Sequence, residues 1–557
     1  MKQKRWLIVD TILLGIVGAI GAQVFLLLLK WSEAVFLNFM AGYHMPGLPD
    51  EGGVLRQVIG PHGLWLIPVA TTIGGLVSGF LVYSLAPEAE GDGADSAVRI
   101  FHRAGGFVRF RVPPLKTLTS AITIGSGGAA GREGPIALIA GGIGSIYATV
   151  LKRSDDERRL LVLIGVAAGL SAIFRSPIGT AIFAIEVLYS DMEFEAGALF
   201  YTMLGSVVAY AFNGLFVGWE PLFRVPKGLP VPDFMGLAWY AALGAASGLV
   251  ATMLPVVFYG LRDAFHKLPV PPHIKPAIGG LGIGLMALAL PQVLGGGYGW
   301  IQEAIDGHLA LGILVALVFA KTVALALTVS SGGSGGSFGP TLFVGAMVGG
   351  AMAKIFHEPS SAFVVVGMAA VFGGSARVPI ATLLMVTEMT GGYQLLVPAA
   401  LAVMLSYFIQ TSLSKRLRYK SLYESQVPGR GDSPAHHVEH LRIAMDLLEK
   451  RRVTSPTVIG HLDLLALVES GIAVDLSEGK QLTIGVLRPG SSWVGKPIRL
   501  GCQEELGGEM EMVAILRAGE MLLPHPDTLL QSGDRVLAIV SPGARDRLGR
   551  HLAPLSS

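Results

Sequence analysis

Apolar residues in this chain gather into unbroken runs instead of the spaced stripes of a soluble bundle. Such runs cover residues 7–29, 64–84, 160–189, 236–259, 311–329 and 395–409. They read as stretches that cross about 30 Å of hydrocarbon as helices. The first run follows Met1-Lys2-Gln3-Lys4-Arg5. It is long and has no obvious small-residue cleavage motif, so it reads as a retained helix and not a signal peptide. The pattern changes near Val427, where Val427-Pro428-Gly429-Arg430-Gly431-Asp432-Ser433-Pro434 breaks any helix. Beyond it, residues 443–452 keep a helical spacing, while 482–487, 512–516 and 535–540 read as strands between Gly and Pro turns. The prediction is a membrane domain over 1–426, a linker over 427–441 and a small cytoplasmic α+β domain over 442–557.

Composition agrees with that division. With 52% hydrophobic and 15% charged residues over 557 positions, there is too little polar surface for one water-soluble globule. Basic residues at the N-terminus, and the run Lys415-Arg416-Leu417-Arg418-Tyr419-Lys420 after the last apolar stretch, predict that both ends lie in the cytoplasm. A net charge of +2 points to no nucleic acid or other polyanionic partner. The single cysteine, Cys502, excludes an intrachain disulfide and a four-cysteine zinc site. His436, His437 and His440 sit in a Gly/Pro-rich linker and read as a solvated stretch, so no metal is expected. No Ser-His-Asp set or Walker loop lies among the apolar segments, and no Gly-x-Gly-x-x-Gly follows a strand in the tail. The chain does not read as an enzyme, and no cofactor is expected.

The most informative feature is an internal repeat. Gly125-Ser126-Gly127-Gly128-Ala129-Ala130-Gly131-Arg132-Glu133-Gly134-Pro135 has a counterpart in Ser331-Gly332-Gly333-Ser334-Gly335-Gly336-Ser337-Phe338-Gly339-Pro340. Further along, Gly165-Val166-Ala167-Ala168, Arg175-Ser176-Pro177-Ile178 and Glu186 match Gly367-Met368-Ala369-Ala370, Arg377-Val378-Pro379-Ile380 and Glu388. Pro177 and Pro379, like Glu186 and Glu388, stand 202 residues apart; Pro135 and Pro340 stand 205 apart. The two halves of the membrane domain are copies.

Bare glycine-rich backbone cannot face lipid, so duplicated breaks at membrane depth belong where they line a site. Proline after each break suits the first turn of a helix, so Pro135 and Pro340 mark helix starts inside the bilayer. Free N–H groups and the helix dipole hold an anion there without the full charge of a lysine, and the expected cargo is a small anion. Glu133 sits at one such start. Ionised, it imitates the anion and plugs the path; protonated or displaced, it opens it.

These residues resemble the CLC chloride channels and transporters over residues 7–423. Gly131-Arg132-Glu133-Gly134-Pro135 is similar to that family's gating-glutamate motif, and Gly336-Ser337-Phe338-Gly339-Pro340 to its second motif. Tyr423 stands where the family places an anion-binding tyrosine. The resemblance implies an all-α polytopic membrane protein of two inverted-topology repeats with broken helices, a homodimer with one pore per subunit. It implies that the amides of Ser337 and Phe338, with Tyr423, meet a central anion, and that amides around Arg132, Glu133 and Gly134 form an outer site. Residues 482–550 resemble a TrkA-C regulatory domain through Gly490-Ser491-Ser492-Trp493-Val494-Gly495-Lys496, Ala514-Ile515-Leu516-Arg517-Ala518-Gly519 and Leu530-Gln531-Ser532-Gly533-Asp534-Arg535-Val536-Leu537. Such domains dimerise and take a nucleotide or ion as ligand.

Two positions depart from the pattern. Where the family carries Gly-Ser-Gly-x-Pro, this chain has Gly91-Asp92-Gly93-Ala94-Asp95. Asp92 replaces a neutral serine, so it either turns away as a helix cap, is protonated, or acts as a second titratable group. In Ile185-Glu186-Val187, Val187 stands where resembling exchangers carry a proton-shuttling glutamate. Glu186 and its repeat partner Glu388 read as structural capping or pairing residues. The reading that follows is a chloride channel in a prokaryotic plasma membrane, gated by protonation or anion displacement of Glu133. A proton-coupled antiporter of chloride or fluoride is the alternative.

Overall fold

The computed structural model describes residues 2–226, 233–436, 474–475, 481–498, 509–517, 520–522, 524, 527–541 and 544–553. The helix expected over 443–452, together with His437, His440 and Cys502, lies outside the described residues. Two compact units divide the chain, Met1–Arg430 and Gly431–Ser557. The division falls four residues beyond the expected break at Val427. Val427 and Pro428 are tied to the first unit: Ser190 N donates to Val427 O (2.9 Å) and Asp191 N to Pro428 O (3.2 Å).

The first unit is helical and repeats its element order. Its first half contains α1 (Lys2–Glu33), α2 (Ile67–Leu85), α3 (Gly93–Arg103), α4 (Val112–Gly125), α5 (Glu133–Val150), α6 (Asp155–Phe174), α7 (Pro177–Glu186) and α8 (Leu199–Val217). A two-strand hairpin, β1 (Tyr43–His44) and β2 (Val58–Ile59), lies between α1 and α2. The second half runs α9 (Phe234–Lys267), α10 (Lys275–Ala287), α11 (Tyr298–Ile305), α12 (Leu311–Val329), α13 (Phe338–Phe356), α14 (Ser360–Ala376), α15 (Pro379–Thr390) and α16 (Leu396–Ser414). Among the described residues, eight helices are long and apolar enough to cross a bilayer, so the chain is a multi-pass membrane protein. Glycines let the inner helices touch: a Cβ on Gly144 would lie 2.2 Å from Leu161 O, and one on Gly349, its repeat equivalent, 2.1 Å from Phe363 O.

One expected span is two helices. The run 160–189 divides after Phe174, where Arg175 caps α6 in the left-handed conformation (φ 54°) and Pro177 opens α7. Arg377 (φ 57°) and Pro379 divide α14 from α15 in the same way. The cause is local: a residue before proline is driven out of the helical region, whatever its neighbours' hydropathy. The ends of α7 and α15 reveal the relation between the halves. Glu186, the last residue of α7, accepts from Ile380 N (3.1 Å) and Ala381 N (2.6 Å) at the start of α15. Glu388, near the end of α15, accepts from Ser176 Oγ (2.6 Å) and Gly179 N (2.9 Å) at the start of α7. Equivalent helices that cap each other end to start run antiparallel, which is the mark of an inverted repeat.

The second unit is a small antiparallel sheet with a helix. Strands β3 (Val474–Asp475), β4 (Gln481–Leu487), β5 (Met510–Arg517), β6 (Glu520–Leu522) and β7 (Arg535–Val540) stand in the order β3-β4-β7-β5-β6. β8 (Leu552–Ala553) pairs with β4, and α17 (Arg545–His551) precedes it. Leu487, Trp493, Ile515, Leu530, Val536, Val540, Leu548 and Leu552 form its core.

Candidate anion pathway

Three glycine segments meet in the middle of the first unit. Gly131 and Gly336 exchange backbone hydrogen bonds, at 2.7 and 2.9 Å, joining the two repeat breaks directly. Gly91 donates to Gly333 O (3.2 Å) and accepts from Gly335 N (3.3 Å). The contact leaves no space for side chains: a Cβ on Gly93 would fall 2.1 Å from Gly134 O, and one on Gly134 2.7 Å from Gly336 Cα. As a result α3, α5 and α13 begin against one another, and three electropositive helix starts converge.

Two carboxylates occupy that convergence. Glu133 is 1% exposed; its Oε2 accepts from Gly339 N (3.2 Å), and its Oε1 has no partner within the protein. Asp92 caps α3 through Oδ1, which accepts from Ala94 N (2.9 Å). Its Oδ2 reaches the other half of the molecule and accepts from Ser337 N (2.8 Å) and from the Ser337 hydroxyl. The side chains from two different helices thus share the start of α13.

The remaining expected residues divide into those that face this point and those that do not. Tyr423 is 1% exposed, and its hydroxyl, beside Ser337, has no hydrogen-bond partner within the protein. Phe338 closes one side in an aromatic cluster with Phe174, Phe183 and Phe372, at centroid distances of 4.5, 5.6 and 3.9 Å. Gly134 packs against Asp92 and Gly336. Arg132 turns away: its guanidinium holds both carboxylate oxygens of Glu51, at 2.9 and 2.7 Å, and lies 4.5 Å over the Tyr298 ring. Burial works against the charge of Glu51, but Arg132 outweighs it and keeps that loop carboxyl below its usual range. Val187 is the C-cap of α7 and offers no titratable group.

Sequence reasoning missed two lysines. Lys116 on α4 is fully buried and donates to Ala89 O (3.0 Å) and Gly91 O (2.7 Å), holding the loop that carries Asp92. Lys321 on α12, also fully buried, donates to Val293 O (2.8 Å) and Gly295 O (2.6 Å). The glycine breaks were expected to work without a lysine; Lys116 touches only the main chain of the loop that carries Asp92. The signal was present, since Lys116 and Lys321 are 205 residues apart, the spacing of the glycine breaks.

The profile of the voltage-gated chloride channel family matches residues 74–411. The chain belongs to that family. A TrkA-C domain profile matches residues 483–553. Among relatives, the H(+)/Cl(-) exchange transporter ClcA of Salmonella agona is 31% identical over 391 residues, covering 67% of this chain and 81% of the relative. The protein of the same name from Salmonella dublin matches to the same extent. The fold is similar to the crystal structure of a slow cyanobacterial Cl-/H+ antiporter (TM-score 0.62, 22% identity, 74% of this chain and 94% of that one). It is similar as well to a CLC-type fluoride/proton antiporter (TM-score 0.62, 21% identity, 76% and 96%). Within this chain, the CLC match spans Asp92, Arg132, Glu133, Gly134, Ser337 and Phe338, while Tyr423 lies beyond its end.

Proposed function

We propose that the chain exchanges small inorganic anions, chloride first, for protons across a bacterial inner membrane, with Glu133 as both gate and proton carrier. The observation that carries this reading is the buried carboxylate of Glu133, which takes a backbone N–H at a helix start where an anion would otherwise bind. Protonation cancels its charge and weakens its hold on Gly339 N, so proton uptake and anion entry become one event. The relatives named H(+)/Cl(-) exchange transporter support coupling over the uncoupled channel that Val187 first suggested. The amides of Phe338 and Gly134 and the hydroxyl of Tyr423 are the donors assigned to the anion, with Arg132 shaping the outer side through Glu51. The protein works as a homodimer with one path per subunit and both termini in the cytoplasm. Its TrkA-C unit senses a nucleotide or ion.

Proteoliposomes test this directly. With a chloride gradient imposed, protons should move uphill, and the reversal potential should shift with the pH gradient as well as with chloride. Glu133→Gln should pass chloride without moving protons. A potential that follows chloride alone at every pH gradient would leave the uncoupled channel as the correct reading. Repeating the assay with fluoride decides which anion the path prefers.

A further inference from the structure

An N-cap needs one oxygen, and Asp92 uses two. Oδ1 satisfies Ala94 N at the start of α3, which is all that capping requires. Oδ2 crosses to the opposite repeat and takes both the amide and the hydroxyl of Ser337. Those donors stand at the start of α13, two residues before the amide of Gly339 that Glu133 holds. The buried hydroxyl of Tyr423, which has no hydrogen-bond partner of good geometry, lies beside the same Ser337. An aspartate on α3 therefore fills a pocket of donors suited to a free anion.

We propose that Asp92 is a second gate, a tethered carboxylate that occupies the inner anion position and must be neutralised or displaced before an anion can bind there. When it leaves, the Ser337 amide and hydroxyl and the Tyr423 hydroxyl become available together, which is a donor set for one small anion. The groups facing Asp92 are Glu133 from α5, Lys116 from α4, Asp95 from its own helix and Tyr423 from the segment after α16. Asp95 is engaged by Ser425, which donates its N–H and its hydroxyl at 2.8 Å each. Lys116 spends its protons on main-chain carbonyls. Glu133 and Asp92 are left as the two carboxylates on the path, and they repel one another. The arrangement also supplies a second protonatable group along the route, which Val187 does not.

The proposal rests on the reading of this region as an anion path, and its test has an arm that needs no transport. In Glu133→Gln, chloride flux from liposomes should still fall as pH rises, by about tenfold. In the double variant Glu133→Gln/Asp92→Asn the profile should be flat. Separately, Asp92→Asn, which keeps the cap of α3, should bind chloride in detergent about tenfold more tightly than the wild type, as measured by calorimetry. A flat profile in Glu133→Gln alone overturns the second gate while leaving proton-coupled exchange intact, and so does unchanged chloride affinity in Asp92→Asn. If Asp92→Asn fails to fold, Asp92→Ser serves in its place, and the Glu133→Gln profile, which leaves Asp92 intact, still decides the matter.

Discussion

Lys116 and Lys321 are charged residues whose work is done on the backbone. Each ammonium is buried and satisfies carbonyls of a loop that leads into a short helix, α3 for Lys116 and α11 for Lys321. Lys321→Met keeps the apolar stem but leaves Val293 O and Gly295 O unpaired, which should lower stability by roughly 1–3 kcal/mol. Lys116→Met should cost less, because Ala89 O keeps the Ser334 hydroxyl and Gly91 O keeps Gly335 N, but it should slow anion flux, because its loop sets the position of Asp92. Thermal unfolding in detergent measures the first effect; a Lys321→Met protein as stable as the wild type would refute it. At this scale the sequence displayed Glu133, whose glycine setting and helix start follow from residue type alone. It did not display the roles of the lysines, because main-chain carbonyls carry no signature in a sequence. Nor did it display the reach of Asp92 to Ser337, which depends on how two segments 245 residues apart meet.

Among the elements, α7 and α15 carry the pseudo-symmetry. Each carries, at or near its end, a glutamate that holds the first N–H groups of the other, so the pair is closed at both ends by carboxyl against dipole. Glu186→Gln and Glu388→Gln should each cost about 1–2 kcal/mol, the usual range for a cap assisted by charge. The two caps lie at opposite ends of a ten-residue helix, about 15 Å apart, so the losses should add in the double variant. Thermal shifts of the three variants provide the check, and a double loss well below the sum would mean that the caps are not independent. The copied Pro and Glu positions made this pairing legible as a repeat. The break at Arg175 was passed over because the runs on either side of Arg175-Ser176 are apolar, although Pro177 is the residue that marks it. In the tail the three longest strands, β4, β5 and β7, were readable to within two residues, because Gly and Pro bracket their apolar runs, whereas the short strands β3, β6 and β8 were not predicted.

On the scale of the whole molecule, a ligand-sensing role for the tail requires that it hold its own fold. Its core does so: Trp493 is fully buried, stacks on His551 at 4.2 Å, and is enclosed by Leu487, Ile515, Leu530, Val536 and Leu552. None of these residues belongs to the membrane unit, whose interior is built from the paired helices of the two repeats. Calorimetry of the full chain in detergent should therefore resolve two transitions. Trp493→Ala should remove about 3–5 kcal/mol, the usual cost of emptying an aromatic core position. For a small domain with a total stability of roughly 5–15 kcal/mol, that is enough to lower one transition sharply. The other transition should stay in place, and chloride flux should persist in the variant. Movement of both transitions together would mean that the units unfold as one body. The tail would then act on the path by shared stability, and no separate sensing step would be needed.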